Sequence, residues 1–149
     1  MFVKMRQYEH PLFMDLLKSL YWFDNALQSG LKKSGFEAVT RAQSLILLNI
    51  MVGERRAARL AGNLGVSRQA MSQMLAEMEK RGLLNFKADE EDKRAQIVLF
   101  SPESRDIRNA AMRILARLER ELENRIGAKN VAALRKALRS DWGPSIIDR

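Results

Sequence analysis

The sequence predicts a mainly α fold with one small β-hairpin, an α+β winged helix-turn-helix flanked by N- and C-terminal helices suited to dimerisation. Three observations predict it. Leu60, Ala61, Leu64, Gly65, Val66, Met71 and Met74 stand at the spacing of two helices joined by a tight turn. Leu84, Phe86 and Ala88 then alternate with Asn85 and Lys87, and a second apolar run, Arg94 to Phe100, follows the charged stretch Asp89-Glu90-Glu91-Asp92-Lys93. Long stripes of apolar residues at three- and four-residue steps lie on both sides of this block.

Pro11 opens the first helix, and Leu12, Leu16, Leu20, Phe23, Leu27 and Leu31 form its stripe. Phe13, Leu17, Tyr21 and Trp22 widen that stripe beyond what one neighbouring helix covers, and Gly30 and Gly35 mark the helix end and a turn. Thr40-Arg41-Ala42-Gln43 reads as a capping box for a second helix, apolar on most sides from Leu45 to Val52 and stopped by Gly53. Arg56 to Leu64 and Ser67 to Arg81 are the two helices of the motif. Gly65 supplies the positive φ of the turn, Ser67 the N-cap, and Gly82 the stop. Met71, Met74, Leu75 and Met78 make the buried face of the second of these helices. After the hairpin, Ser101-Pro102-Glu103 caps a long helix from about Pro102 to Arg125, lined by Ile107, Ala111, Ile114, Leu115, Leu118, Leu122 and Ile126. Gly127 interrupts, and Val131, Leu134, Ala137 and Leu138 make a last short helix. The expected division is 1–36, an N-terminal helical dimerisation segment; 37–101, the winged helix-turn-helix; and 102–149, a C-terminal helical dimerisation segment.

Composition bounds the function. The chain has 149 residues, no cysteine and one histidine, His10, which excludes disulfides, thiolate metal sites and a multi-histidine centre. No apolar run approaches the roughly 18 residues of a membrane span, and Met1 to His10 lacks a signal-peptide core. A cytoplasmic protein is expected. There is no Gly-rich phosphate loop and no nucleophile-base set, so neither enzymatic activity nor a cofactor is expected. The net charge is +8, which favours anionic partners. The basic surplus is only 2 in residues 53–100, against 4 in residues 101–149. A DNA reading therefore rests on which groups face outward.

The face of the Ser67–Arg81 helix opposite its methionines carries Ser67, Arg68, Gln69, Ser72 and Gln73. Arg, Gln and Ser are the side chains that read base edges or hold phosphates in a major groove. "LAGNLGVSRQAMSQMLAEMEKRGLL" followed by "DKRAQIVLFSPESR" resembles the MarR family of winged-helix transcriptional regulators, over roughly residues 12 to 140. Asp92, Lys93 and Arg94 fit the family's Asp-any-Arg wing signature. Phe100 and Ser101 replace its Leu-Thr, and Ser104 stands where Gly is frequent. The resemblance implies that Ser67, Arg68, Gln69, Ser72 and Gln73 face the major groove. It implies that Arg94, helped by Lys93, reaches the minor groove or its phosphates, and that Asp92 orients the wing through a salt bridge. It also implies a homodimer on a pseudo-palindromic double-stranded DNA operator, acting as a repressor relieved by a small-molecule effector. An oxidant sensed by cysteine is ruled out here. Glu90 and Glu91 oppose phosphate at the wing tip and favour the alternative, a protein-interaction or ligand-binding module without specific DNA binding.

Overall fold

A computed structural model describes residues 10–144 of the chain. Residues 1–9, on which the reading of the leader falls, lie outside the described residues, as do 145–149. The elements run α1 (Leu12–Lys33), α2 (Arg41–Met51), α3 (Ala57–Leu64), α4 (Arg68–Lys80), β1 (Leu84–Ala88), β2 (Gln96–Phe100), a 3-10 turn (Pro102–Ser104), α5 (Arg105–Ile126) and α6 (Ala128–Arg139). The fold class is the expected one: mainly helical, with one two-stranded antiparallel sheet as the wing. The described residues hold no helix long and apolar enough to cross a membrane.

Local signals in the sequence account for most boundaries. Thr40 Oγ1 accepts from the Gln43 N–H at 3.1 Å, and the Gln43 side chain accepts from the Thr40 N–H at 3.0 Å, which closes the capping box. Gly65 takes φ 67°, ψ 33°, the left-handed conformation that lets α4 start at a sharp angle to α3. Ser67 Oγ accepts from the Ala70 N–H at 3.0 Å.

Two apolar cores result. The larger joins Ile46 and Ile50 of α2, Leu60 and Ala61 of α3, Met71, Leu75 and Met78 of α4, and Leu84 and Val98 of the hairpin. The smaller joins Leu27 and Leu31 of α1 to Ala110 of α5, with Ile107 packed against both cores.

The structure differs from the sequence reading in four places. Arg56 is the N-cap of α3 rather than its first residue, because the chain there is still extended. Arg55 C=O accepts from the Val98 N–H at 2.8 Å, and Arg56 pairs with Ile97, so a single bridge flanks the hairpin. β2 begins at Gln96, leaving Arg94 in the turn. A 3-10 turn precedes α5, with Ser101 Oγ accepting from the Ser104 N–H.

The fourth difference is Gly30, which does not end α1. The helix continues to Lys33, and the turn falls to Gly35 at φ +87°. Gly30 instead lets α5 approach: a Cβ there would lie 2.9 Å from Ile114 Cδ1 and 3.1 Å from Cγ1 and Cγ2. In a helix interior, Gly→Ala ordinarily stabilises by about 0.5–1 kcal/mol. Gly62 of α3 meets nothing within 4 Å of a built Cβ, so Gly62→Ala should gain about that amount. Gly30→Ala should lose the gain to the Ile114 contact, and Gly30→Val should destabilise by about 1–3 kcal/mol. Urea unfolding of the three variants checks the contrast; equal effects of Ala at both glycines would refute the packing role.

Candidate nucleic-acid interface

The reading face is created by what the other face of α4 buries. Met71, Leu75 and Met78 are essentially inaccessible, so the helix cannot rotate. Ser67, Arg68, Gln69, Ser72 and Gln73 all fall on the exposed side. Ser67 spends its oxygen lone pair on the Ala70 N–H, which leaves its hydroxyl proton available as a donor. The exposed acids Glu77 and Glu79 occur only from the third turn onward. The outward face of the first two turns carries no acid. It also sits at the positive end of the helix dipole, which favours phosphate.

The hairpin is hung on the same core. Leu84 pairs with Phe100 and Phe86 with Val98, so Leu84 and Val98 point into the α4 side while Asn85 and Lys87 point away. Ser101 closes the base of the wing: its N–H donates to Leu83 C=O at 3.2 Å and its hydroxyl to Gly82 C=O. The wing is therefore anchored at the C-terminal end of the helix it flanks.

The wing tip corrects one expected role. Asp92 is in no ion pair among the described residues. It shapes the turn through hydrogen bonds instead, Oδ1 accepting from the Arg94 N–H at 3.1 Å and its C=O from the Ala95 N–H at 2.9 Å. A carboxylate two residues before an N–H is placed for a local turn rather than for a distant cation. The ion pair belongs to Asp89, which lies in the buried half of the turn 2.8 Å from Arg56. Arg56 also reaches Glu91 at 3.3 Å, and Lys87 reaches Glu90 at 3.3 Å. Sequence reasoning missed this clamp, because 33 residues separate Arg56 from Asp89 and four acids in a row look equivalent.

The clamp matters for the interface. Asp89 and Glu91 share Arg56, and Glu90 pairs with Lys87, whereas Lys93 and Arg94 are exposed and have no carboxylate partner among the described residues. The acids that counted against phosphate are thus held in local ion pairs and partly offset, and the two cations of the signature are exposed at the turn.

The hydrogen bond from the Glu91 N–H, followed by the donors and charge of Arg56, holds the Asp89 carboxyl below its ordinary value near 3.8, against an opposing effect of burial. A lowered folded-state pKa contributes stability that is fully present above the unfolded value. That contribution is lost as pH falls through the lower folded value. Asp89→Asn should therefore be less stable than the parent at pH 7, and the difference should shrink as pH falls below about 4. Urea midpoints across pH check this; a constant difference would remove the charge from the account.

Residues 39–95 match the model of the MarR family. Over that segment the chain is similar to the MarR family and folds as a winged helix-turn-helix. Solved structures agree on the fold. The chain superposes on wild-type MarR from E. coli, in its apo form, with TM-score 0.65 at 23% identity, over 90% of this chain and 98% of that one. It superposes on CouR from Rhodococcus jostii RHA1 bound to p-coumaroyl-CoA with TM-score 0.64 at 19% identity, over 96% and 99% of the chains. It superposes on CouR bound to a 23-mer DNA duplex with TM-score 0.63 at 22% identity, over 93% and 96%. The DNA-bound CouR is described as a transcriptional repressor. A comparison with curated protein sequences finds no match.

Proposed function

We propose that this protein is a homodimeric, sequence-specific double-stranded DNA-binding transcription regulator, a repressor relieved by a small-molecule effector. One observation carries the reading. The buried face of α4 turns Arg68, Gln69, Ser72 and Gln73 outward on an acid-free helix start, and the wing that follows α4 exposes two cations, Lys93 and Arg94, that have no acidic partner among the described residues. Such a pair of surfaces suits a major groove and its neighbouring minor groove. CouR, which shares the fold, is described as a transcriptional repressor and has been seen on a DNA duplex, and this supports the same role here. The reading needs no cofactor and places the protein in the cytoplasm with its DNA.

In this reading Arg94 holds phosphate or the minor groove, while Arg68 and Gln69 read bases. Arg94→Ala should weaken binding on all duplexes by a similar factor and shallow the salt dependence by about one unit of slope. Gln69→Ala or Arg68→Ala should relax preference at single positions, costing about 1–3 kcal/mol each. Fluorescence anisotropy on duplexes from the gene's own upstream region and on scrambled DNA, at several salt concentrations, measures all of this. Preference for one duplex by about 10³-fold or more at matched salt is the expected result. Weak, equal binding to both would favour the interaction-module alternative.

Dimerisation is supported by the apolar surface left outside both cores. Leu12, Phe13, Leu17 and Tyr21 on the first half of α1 are exposed, as are Leu134 and Leu138 on α6 and Trp142 after it. Phe23, Leu122, Val131, Leu134 and Leu138 line an open groove between α1, α5 and α6. Apolar surface of this extent in helical arms fits a second copy, with segments 1–36 and 102–149 as the arms and 37–101 as the reading head. Phe13→Glu combined with Leu138→Glu should turn a dimer into a folded monomer in sedimentation velocity and abolish tight operator binding. A double variant that sediments as the parent does would place the interface elsewhere.

The effector reading is supported by a narrow apolar cavity between the two cores, walled by Leu27 and Leu31 of α1, Leu47 and Met51 of α2, and Ile107 and Ala111 of α5. Arg108 borders it. Its guanidinium lies 4.7 Å from the Phe100 ring centroid and its Nε donates to Ser104 Oγ at 3.0 Å, with no carboxylate in ion-pair reach among the described residues. An apolar body with one anionic group matches that wall.

A further inference from the structure

Arg41 entered the sequence reading only as one letter of a capping box. In the fold it is the centre of a polar joint between α1 and the reading head. Its Nε donates to Asp24 Oδ2 at 2.9 Å, one of its terminal nitrogens donates to Asn25 Oδ1 at 2.6 Å, and its guanidinium stacks 4.3 Å from the Tyr21 ring centroid. Asp24 is buried, with 7% of its side chain accessible. Its second oxygen accepts from Gln28 Nε2 at 3.2 Å, and Gln28 Oε1 in turn accepts from the Val39 N–H at 3.3 Å. Tyr21, Asp24, Asn25 and Gln28 are spaced 3, 4 and 7 residues along α1, so one stripe of that helix addresses the chain from Val39 to Arg41.

The joint continues to the recognition helix. Gln43 Oε1, which completes the capping box, also accepts from an Arg81 terminal nitrogen at 3.2 Å. Arg81 is the C-cap of α4, and it reaches the Glu37 carboxylate at 3.6 Å and the Glu37 C=O at 3.3 Å. One run of directed contacts therefore passes from α1, through the start of α2, to the end of α4.

Elsewhere the meeting of arm and head is poorly filled, because the apolar cavity lies there. Apolar packing around a void does not define an angle, whereas a planar guanidinium held by two oxygens and a ring does. We propose that Arg41 is a positioning residue: locked to Asp24, Asn25 and Tyr21, it sets the angle of the reading head on the arm. In a dimer it thereby sets the separation of the two recognition helices and the operator spacing they accept. The second half of this inference rests on the dimeric DNA reading above. The first half does not.

The test uses the full-length protein. The natural chain has no cysteine, so Lys32→Cys on α1 and Ala76→Cys on α4, both exposed, carry two spin labels and nothing else is labelled. Labelled chain is mixed with excess unlabelled chain, so that the measured distance is within one chain. Arg41→Met alone leaves the Asp24 carboxylate buried without its cation and is expected to unfold. Arg41→Met with Asp24→Leu removes both charges and is expected to fold, as circular dichroism and melting would verify. A narrow distance distribution in the parent that becomes broad or displaced in the double variant is the expected result. An unchanged narrow distribution overturns the proposal, whatever the protein does with DNA. Duplexes whose half-sites are moved apart in single base-pair steps then address spacing. The parent should show an optimum and the double variant should lose it; a retained optimum overturns the spacing role. A parent with no sequence preference would refute the DNA reading itself, while the spin-label distances still decide the joint.

Discussion

Everything this molecule displays depends on the burial of one face of α4. Met71, Leu75 and Met78 lock against Leu60, Leu84 and Val98, and each is almost wholly removed from water. Burying side chains of this size contributes about 1.5–3 kcal/mol each, and the face is too narrow to accept a rotated helix. The polar residues of α4 are outward because the alternative would place Arg68 or Gln73 in that core without partners. The hairpin inherits its position from the same contact, since Leu84 and Val98 are its inward residues.

That core was readable from the sequence because it is built from local periodicities. The three- and four-residue steps of the methionines, the two-residue alternation of Leu84, Phe86 and Ala88, and the glycine at 65 each act within a few residues. The five outward residues of α4 follow directly from the inward ones. What escaped the reading was long-range and electrostatic. Arg56 pairs with Asp89, Arg41 with Asp24 and Arg81 with Glu37, over sequence separations that no periodicity encodes. Gly30 escaped for a related reason: its meaning lies in Ile114, on a helix more than eighty residues away. A helical glycine read alone signals a stop, and the tertiary contact overrides it.

The charged residues of the wing show why net charge was a poor guide. The run of four acids from Asp89 to Asp92 seemed to set the wing against phosphate. Instead, Arg56 and Lys87 draw three of the acids into local ion pairs, and Asp92 is turned onto the backbone of Arg94. The exposed pairs at Glu90 and Glu91 contribute little to stability, unlike the buried carboxylate of Asp89. Their effect here is on the field: Arg56 and Lys87 offset two of the four acids at short range, and Lys93 and Arg94 bring the wing to balance while placing its unpaired cations at the exposed turn.

The same division between packing and directed polar contact organises the joint of head and arm. Apolar contacts build each of the two cores, with Ile107 reaching into both, yet between them the walls do not close. A well-packed joint would tolerate one angle and resist a ligand. A joint with a cavity in its middle and directed contacts at its edge can be defined when empty and redefined when filled. Gln28 belongs to both parts, lining the cavity and bridging Asp24 to Val39. A molecule that displaces the Gln28 side chain would act on the contacts that hold the recognition helix, with no need for a change inside the reading head. In the regulator proposed above, relief of repression by an effector would require that kind of coupling, since a ligand shifts an equilibrium only through contacts that differ between its two states.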